Sequence, residues 1–464
     1  MKIKNLLSLI LTLGVAVQSA AVNVYASEVT VQKIYVRANY AGSNEAGTLR
    51  APYNTIEEAK TAAIEKLAAG DVEILVADGT YFLDEAVDFN SSQMANTDNS
   101  LTIKPYQTGN VIISGGEKLD NSKFIEHDAP NNIYKIPYTG TIQRQLYVNG
   151  TPATRSRSTE NDLTFDLPQG ATDVNGDGEI ADNEVGTIAI TTTNTAVANW
   201  NIANIAEIVF KNSFVSPRRF VTGVTVKDGV AKFEIKHGTY ILEQAYPLTG
   251  DSGGIFWLEN ALEVLDEPGE WCHDGQYIYY KLRDGEDIST AEIILPKLDS
   301  SAVSFTGTAA KPIKNITVEG ITFSHNTWMH VSEEGWLNPA QSNVVGGVPE
   351  PFGLVNTTYA ENVVFNNCTF TNGGGSGITI MDGSKNVTVK NCEISNISSA
   401  GILVGSIQNA RYGKNEADLV RNITIEQNSI HDCAIGYYAA TAIAVAYEKD
   451  IKIVHNEIYN MPYS

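Results

Sequence analysis

Five segments in the C-terminal part of the chain align with one another without gaps, and this internal repeat restricts the possible folds more than any other feature. They are residues 315–325 (NITVEGITFSH), 362–372 (NVVFNNCTFTN), 386–396 (NVTVKNCEISN), 422–432 (NITIEQNSIHD) and 450–460 (DIKIVHNEIYN). Each has apolar residues at its second, fourth and ninth places and opens with Asn or Asp. Alternation around Ile316 and Val318, or Ile423 and Ile425, is the period of a strand with one buried face. Pairing equivalent strands between neighbouring units makes parallel sheets that run along a solenoid. The successive steps from Gly320 through Asn367, Asn391 and Gln427 to His455 are 47, 24, 36 and 28 residues. The shortest is near the roughly 20–25 residues of one coil, so the longer ones carry loop insertions, where binding sites form on a rigid solenoid. The expected fold is all-β, a right-handed parallel β-helix.

The seventh place of the repeat holds Ile321, Cys368, Cys392, Asn428 and Asn456. Like residues stack inside such a coil, and neighbouring Asn side chains can pass hydrogen bonds from rung to rung. Cys368 and Cys392 would sit about 4.8 Å apart on adjacent rungs. Their parallel Cβ vectors suit a bridge poorly, so buried free thiols are expected. Four cysteines in 464 residues make no disulfide framework, and 43% hydrophobic residues allow a core without one.

Upstream, residues 34–81 read as strand, loop, helix, strand. Thr55 and Glu58 form a capping box, Ile56, Ala59, Ala63, Ile64 and Leu67 recur at helical spacing, and Gly70 ends the helix. Such a helix would shield the open end of the first coil. Residues 158–300 show long alternating strands, such as 220–235, and no coil-length repeat. The expected division is therefore a leader over 1–26, a cap with the first coils over 27–157, a β-rich insertion over 158–300 and further coils over 301–464.

The leader has Lys2 and Lys4, an apolar run over 6–17 and a small-x-small pattern ending at Ala26, the order of a secretory signal peptide. The run is too short to span a bilayer. The predicted location is secreted, extracellular. The chain has 32 basic and 54 acidic residues, and losing Lys2 and Lys4 leaves 30 against 54, a net charge of -24. Such a surface repels nucleic acid and anionic lipid, and would repel a polyanionic glycan unless cations intervened.

Residues 173–184 (DVNGDGEIADNE) match the calcium loop of an EF-hand. Asp173, Asn175 and Asp177 occupy its first, third and fifth positions, and Gly178 permits the sharp turn. Glu179 would offer its backbone carbonyl and Glu184 a bidentate carboxylate. Hard oxygen ligands at these intervals suit Ca²⁺, here in a structural role.

Hydrolysis of a glycosidic bond requires two carboxyl groups facing across a cleft. Asp432 aligns with Asn372, Asn396 and Asn460 and reads as a turn residue, and Glu448 reads as a solvated loop residue. Glu333 and Glu334 lie in a long insertion with Trp328, His330 and Trp336. These aromatic faces could stack on sugar rings and His330 could donate a hydrogen bond, or the same side chains could pack the loop onto the coil. His325, His330, His431 and His455 lack metal-ligand spacing, and no nucleophile-elbow, zinc-protease or dinucleotide motif is present.

Several stretches resemble the bacterial β-helix glycoside hydrolases of family 141, the group with α-L-fucosidase and xylanase activities. They are LENALEVLDEPGEW (258–271) with YIYY (277–280), RQLYVNG (144–150) with Arg155 and Arg157, GITFSHNTW (320–328), NISSAGILVG (396–405) and HNEIYNMPYS (455–464). The resemblance implies a glycoside hydrolase acting on fucoside or xylan linkages of plant cell-wall polysaccharide. In that family the Pro-Tyr-Ser element is followed by further coils that carry the aspartates proposed for catalysis. Here the sequence ends at Ser464, which suggests truncation, and no catalytic residue is carried over. The alternatives are a non-catalytic extracellular glycan-binding or adhesive protein and a polysaccharide lyase. All three take a polysaccharide or oligosaccharide as partner.

Overall fold

The computed structural model describes residues 31–94, 97–159, 190–211, 218–235, 255–330, 350–406 and 415–463, with short pieces at 163, 165–166, 336–337, 339–340 and 343–344. Three parallel sheets share its main body. In the first, Gln32–Val36, Val72–Val76, Leu101–Pro105, Ile313–Glu319, Ala360–Asn366, Lys385–Lys390, Val420–Glu426 and Glu448–Val454 lie side by side in that order. The second runs from Gly79–Phe82 through Val111–Ser114, Thr322–Ser324, Thr369–Gly373, Glu393–Ile397 and Ser429–Cys433 to Glu457–Tyr459. The third stacks Val87–Asn90, Val303–Thr306, Gly353–Thr358, Ser376–Ile380, Ile402–Val404 and Ile443–Val445. The chain visits the three sheets in turn, one circuit per coil.

The register follows the repeat. Ile316 pairs with Val363, Val363 with Val387, Val389 with Ile425 and Ile423 with Ile451. Ile316, Val363, Val387 and Ile423 are fully buried in one core with the ninth-place residues Phe323, Phe370, Ile394 and Ile430. Burying each such side chain is worth about 1.5–3 kcal/mol. Phe323 and Phe370 stack at 5.4 Å, so identical places on successive rungs touch directly. The last rung presents Ile453, Ile458 and Tyr459 as exposed side chains.

The polar places of the repeat have a backbone cause. Every first, sixth and eleventh residue of the five segments has a positive φ, between 49° and 67°. This left-handed conformation is costly for most side chains and mildest for Gly, Asn and Asp. Three left-handed residues five apart set the bends of each coil, which explains why every segment opens on Asn or Asp and four of the five close on one, His325 being the exception. Asp432, with φ 49°, is the turn residue its alignment implied. At the first place Asn315, Asn362, Asn386 and Asn422 form a ladder, each Nδ2 donating to the Oδ1 before it at 2.9, 3.0 and 3.1 Å. Inside the coil, Asn428 Nδ2 donates to Asn456 Oδ1 at 2.9 Å and to Val389 O at 3.0 Å, while its own Oδ1 accepts from Cys392 N. Cys368 and Cys392 are buried free thiols, as are Cys272 and Cys433.

The helix Ile56–Leu67 closes the N-terminal end. Thr55 and Glu58 make the reciprocal capping box, and Ile56, Ala59, Ala62, Ala63 and Leu67 face the solenoid core. Its C-cap is Ala68 in the right-handed region, so the helix stops without the glycine terminator expected at Gly70.

The insertion begins earlier than the sequence reading placed it. After Ser114 the chain leaves the solenoid, and it rejoins only at Val303–Thr306. Gly116–Lys118 pairs antiparallel with Ile293–Pro296, which also pairs with Tyr147–Val148. Ile133–Pro137 pairs with Tyr277–Lys281, and Thr154–Arg155 with Glu270–His273. The boundary at 157/158 therefore moves to about Gly115, because the strands between 116 and 155 find their partners in the insertion. A Cβ on Gly116 would lie 2.6 Å from Ile294 Cγ2, so the exit strand needs glycine there. The expected long strand over 220–235 is a hairpin of Arg218–Lys227 and Val230–Ile235. Asp228 and Gly229, at φ 52° and 80°, supply its two-residue turn. The insertion has apolar cores of its own, around Phe233 and Leu258 and around Trp271 and Tyr280. The departures at 115–302, 325–352 and 434–442 leave at one corner, between the second and third sheets, whereas residues 405–419 join the third sheet to the first.

Candidate functional site

At that corner a pocket of about 190 Å³ lies between the insertion and the turns of two later coils. Its walls include Arg144, Tyr147, Arg155, Arg157, Arg218 and Glu259 from the insertion, and Ser398, Gly436, Tyr437 and Tyr438 from the solenoid.

Beneath it sits a buried charge cluster. Arg144 grips Glu207 with both terminal nitrogens, Nη2 at 3.0 Å from Oε2. Arg155 Nη1 bridges the two carboxylates, 3.1 Å from Glu207 and 3.0 Å from Glu259. Arg218 Nη1 does the same at 3.3 and 2.9 Å, while its Nη2 donates to Gly436 O at 2.5 Å. Trp257 Nε1 donates to Glu259 Oε2 at 3.2 Å. None of the five charged side chains is more than 7% exposed. The Arg218 guanidinium also lies 5.6 Å from the Tyr437 ring centre, so the cluster ties the insertion to the solenoid.

The protonation of the two carboxylates follows from their surroundings. Burial opposes ionisation of Glu207, but the guanidiniums of Arg144, Arg155 and Arg218 outweigh it and hold the carboxyl far below the usual range. Glu259 is held down in the same way, against burial, by Arg218 and Arg155. Both are anions at neutral pH, so neither can protonate a leaving group as a general acid. The cluster is an electrostatic platform. A carboxyl with the opposite bias lies beside it in sequence: burial pushes Glu270 up to about 7, despite bonds from the backbone N–H groups of Glu267 and Asp266.

Several polar atoms around the pocket have no hydrogen-bond partner among the described residues. They are Nε of Arg144, Arg155 and Arg218, Nη2 of Arg155 and the Tyr437 hydroxyl. At the rim, the exposed Arg157 guanidinium lies 5.9 Å from the Trp257 ring, and Trp257 meets Tyr438 edge-on at 5.6 Å.

The sequence-predicted residues fall differently. Trp328 is fully buried, with its ring edge-on to Tyr437 at 5.4 Å, so it backs the pocket wall and offers no face to a sugar. The expectation of Trp328 as a stacking platform is corrected accordingly: the packing reading wins at this residue. His330 is half-buried, tilted against Trp328 at 5.9 Å and against Phe352 at 5.8 Å. The backbone of Trp336 pairs with Arg219, beside the cluster, while its side chain lies outside the described residues. Glu333, Glu334, the calcium-loop residues Asp173, Asn175, Asp177, Glu179 and Glu184, and the leader also lie outside them. Glu448 opens a strand of the first sheet and is partly buried, which raises its pKa, so it is not a solvated loop residue. Among the described residues no group of His, Cys, Asp and Glu could hold a metal ion.

Arg144 and Arg155 come from one of the motif blocks singled out in sequence and Glu259 from another, and the fold brings them together. Glu207, Arg218, Tyr437 and Tyr438 were missed. A signal did exist for Glu207: a lone carboxylate between Ala206 and Ile208-Val209 in an apolar strand demands a buried cationic partner.

The fold defines the class: this is a right-handed parallel β-helix protein with a β-rich insertion. Residues 297–418 match the family model of the right-handed β-helix region. A solved structure described as a glycoside hydrolase superposes with a TM-score of 0.79 at 23% identity, covering 93% of this chain and 78% of that one. The tailspike protein gp49 from Pseudomonas phage LKA1 covers 86% of this chain and 49% of its own, at 11% identity and a TM-score of 0.25. The Gp54 tailspike of Acinetobacter baumannii bacteriophage AP22, solved with a capsular saccharide, covers 82% and 44%, at 9% identity and 0.22. Scores of that size give no overall superposition. No curated protein matches the chain.

Proposed function

We propose that this is a carbohydrate-active protein that seats a polysaccharide or oligosaccharide in the pocket at the insertion corner. The observation that carries the reading is the pocket itself: walls that combine Arg144, Arg155, Arg218, Tyr147 and Tyr437 with apolar surface, under a rim of Tyr438 and Arg157. Sugars are recognised by such combinations of directional donors and aromatic surface. The shared fold with a structure described as a glycoside hydrolase is consistent with it.

The finer reading is a glycoside hydrolase of the family 141 kind, acting on fucoside or xylan linkages outside the cell, with calcium pinning the insertion through residues 173–184. A second reading, non-catalytic glycan binding, is favoured by one observation: Glu259 in the pocket wall and Glu207 in the cluster beneath are both ionised, and neither can serve as an acid. Incubation of the full chain with fucosylated oligosaccharides and xylans, followed by reducing-end release, separates the two. New reducing ends support the hydrolase. Binding by affinity electrophoresis without release supports the binding protein, and absorbance from unsaturated uronates would indicate a lyase. Failure to retard or cleave any glycan sinks the carbohydrate reading.

A further inference from the structure

Among the described residues the buried cluster does not balance its own charge. Three guanidiniums, of Arg144, Arg155 and Arg218, face two carboxylates, of Glu207 and Glu259. Tyr437 adds no anion, because burial raises its pKa. The excess positive charge lies almost wholly out of water, where an uncompensated ion is strongly unfavourable. Arg157 adds another cation at the rim. This concentration of positive charge sits in a chain whose formal net charge is -22, so it is a local exception.

The unpaired donors point the same way. Arg155 Nη2 and the Tyr437 hydroxyl, on side chains that line the pocket and are at least nine-tenths buried, have no partner among the described residues. N–H and O–H donors beside a cationic cluster are the groups from which carboxylate oxygens accept. The pocket, at about 190 Å³, exceeds the volume of a single ion: at ~30 Å³ per water it has room for about six waters, the scale of one sugar ring.

We propose that the pocket selects an acidic sugar, a uronosyl unit whose carboxylate neutralises the arginine excess and accepts from Arg155 Nη2 and the Tyr437 hydroxyl. This rests on the glycan reading given above and narrows it to a charged substrate class. Arginine supplies the donors because its planar fork stays charged when buried. The acidic surface disfavours approach of a long polyanion from a distance, so the site suits an isolated uronosyl branch or chain end better than a run of charges.

The test is calorimetric titration of the full chain with two matched ligands: glucuronate-branched xylo-oligosaccharide and the same oligosaccharide with its carboxylate methyl-esterified. The expected result is at least ~10-fold tighter binding of the free acid, since a charged bidentate contact is worth that much or more. Tyr437→Phe removes an unpaired buried hydroxyl, so it should fold at least as well as the parent and lose several-fold affinity for the acid alone. Arg155→Gln should abolish the preference, and Tyr437→Phe keeps the test valid if that variant does not fold. Equal binding of acid and ester overturns the charge selection and leaves the glycan reading standing. Binding of acetate or sulfate with no binding of either oligosaccharide overturns both.

Discussion

Replacing Glu207 with Gln keeps the shape of the side chain and removes one of the two charges that hold three arginines together. Glu207 is fully buried and receives hydrogen bonds from Arg144, Arg155 and Arg218. After the change three guanidiniums face Glu259 alone, and the amide N–H₂ of the glutamine points donors at donors. Removing one partner from a buried ionic network costs about 3–5 kcal/mol, because the remaining charges stay desolvated. Against a total stability of ~5–15 kcal/mol, that is enough to open a subdomain. The loss should be local, because the insertion has apolar cores of its own. Hydrogen exchange resolved by segment is therefore the assay. Amides in Glu207–Lys211 and Arg218–Lys227 should lose roughly two to three and a half decades of protection at about 1.4 kcal/mol per decade, while Ile313–Glu319 keeps its protection. Acid should act in the same direction on the parent protein. The folded-state pKa of Glu207 lies below its unfolded value, so its stabilisation is complete above about 4.5 and is lost as pH falls through the folded value. Protection within tenfold of the parent in both segments would refute the reasoning, since the cluster would then be no more than a neutral exchange of solvation for attraction.

Glu270 should behave in the opposite sense. Its folded pKa, about 7, is above the unfolded value, so stability it contributes at low pH is lost between about 4.5 and 7; Glu270→Gln should flatten that slope in denaturant titrations and gain ~1–3 kcal/mol above pH 7. Asn428→Ala strands Cys392 N and Val389 O inside the coil and should cost about 2–5 kcal/mol by urea titration, whereas Asn422→Gly on the exposed ladder, where φ is 56°, should stay within ~1 kcal/mol. Thr55→Ala removes half of the capping box and should destabilise the end helix by about 1 kcal/mol, read as faster exchange of its amides. Adding calcium to chelator-treated protein should raise the protection of the insertion strands; no heat on titration would end the case for the loop at residues 173–184.

The solenoid was legible because its period is imposed by backbone geometry. Asn at places one and eleven records a left-handed φ, and Ile316, Val363, Val387 and Ile423 record one buried column. Both are local rules repeated many times, so errors at one rung are corrected by the next. The insertion has no such redundancy. Gly116 and Lys118 carry no mark that their partners lie near residue 295, and the Asp228-Gly229 turn was passed over because alternating apolar residues, Val224 and Val226 before it and Ala231, Phe233 and Ile235 after it, lie on both sides. The site was the least legible part. It unites Arg144, Glu207, Arg218, Glu259 and Tyr437, and pairings over such separations leave no local pattern. Trp328 misled for a related reason: a tryptophan in a long loop reads as a binding platform, whereas here it buries itself behind Tyr437.

The position of the pocket follows from the construction of the molecule. Within the coils each strand is fixed by its neighbours above and below, so freedom is left at the corners, and one corner holds the departures at 115–302, 325–352 and 434–442. Chain leaving at 115, 325 and 434 must pack against itself there, beside the hydrogen-bonded sheets of the coils. The seam between insertion and coil includes Arg218 bonding to Gly436 O and covering Tyr437, beside the ring contact of Trp257 with Tyr438. An apolar seam of the same size would close without a ligand. One lined by buried guanidiniums retains unmet hydrogen-bonding capacity, and an anionic sugar entering from solvent can meet it. Binding should therefore tighten the seam as well as fill the pocket. Acidic oligosaccharide should slow exchange in Arg218–Lys227 and in the turn at 434–442 together, by the same factor. Slowing in only one of them would mean that the ligand rests on a single wall and that the two units are not coupled through the cluster.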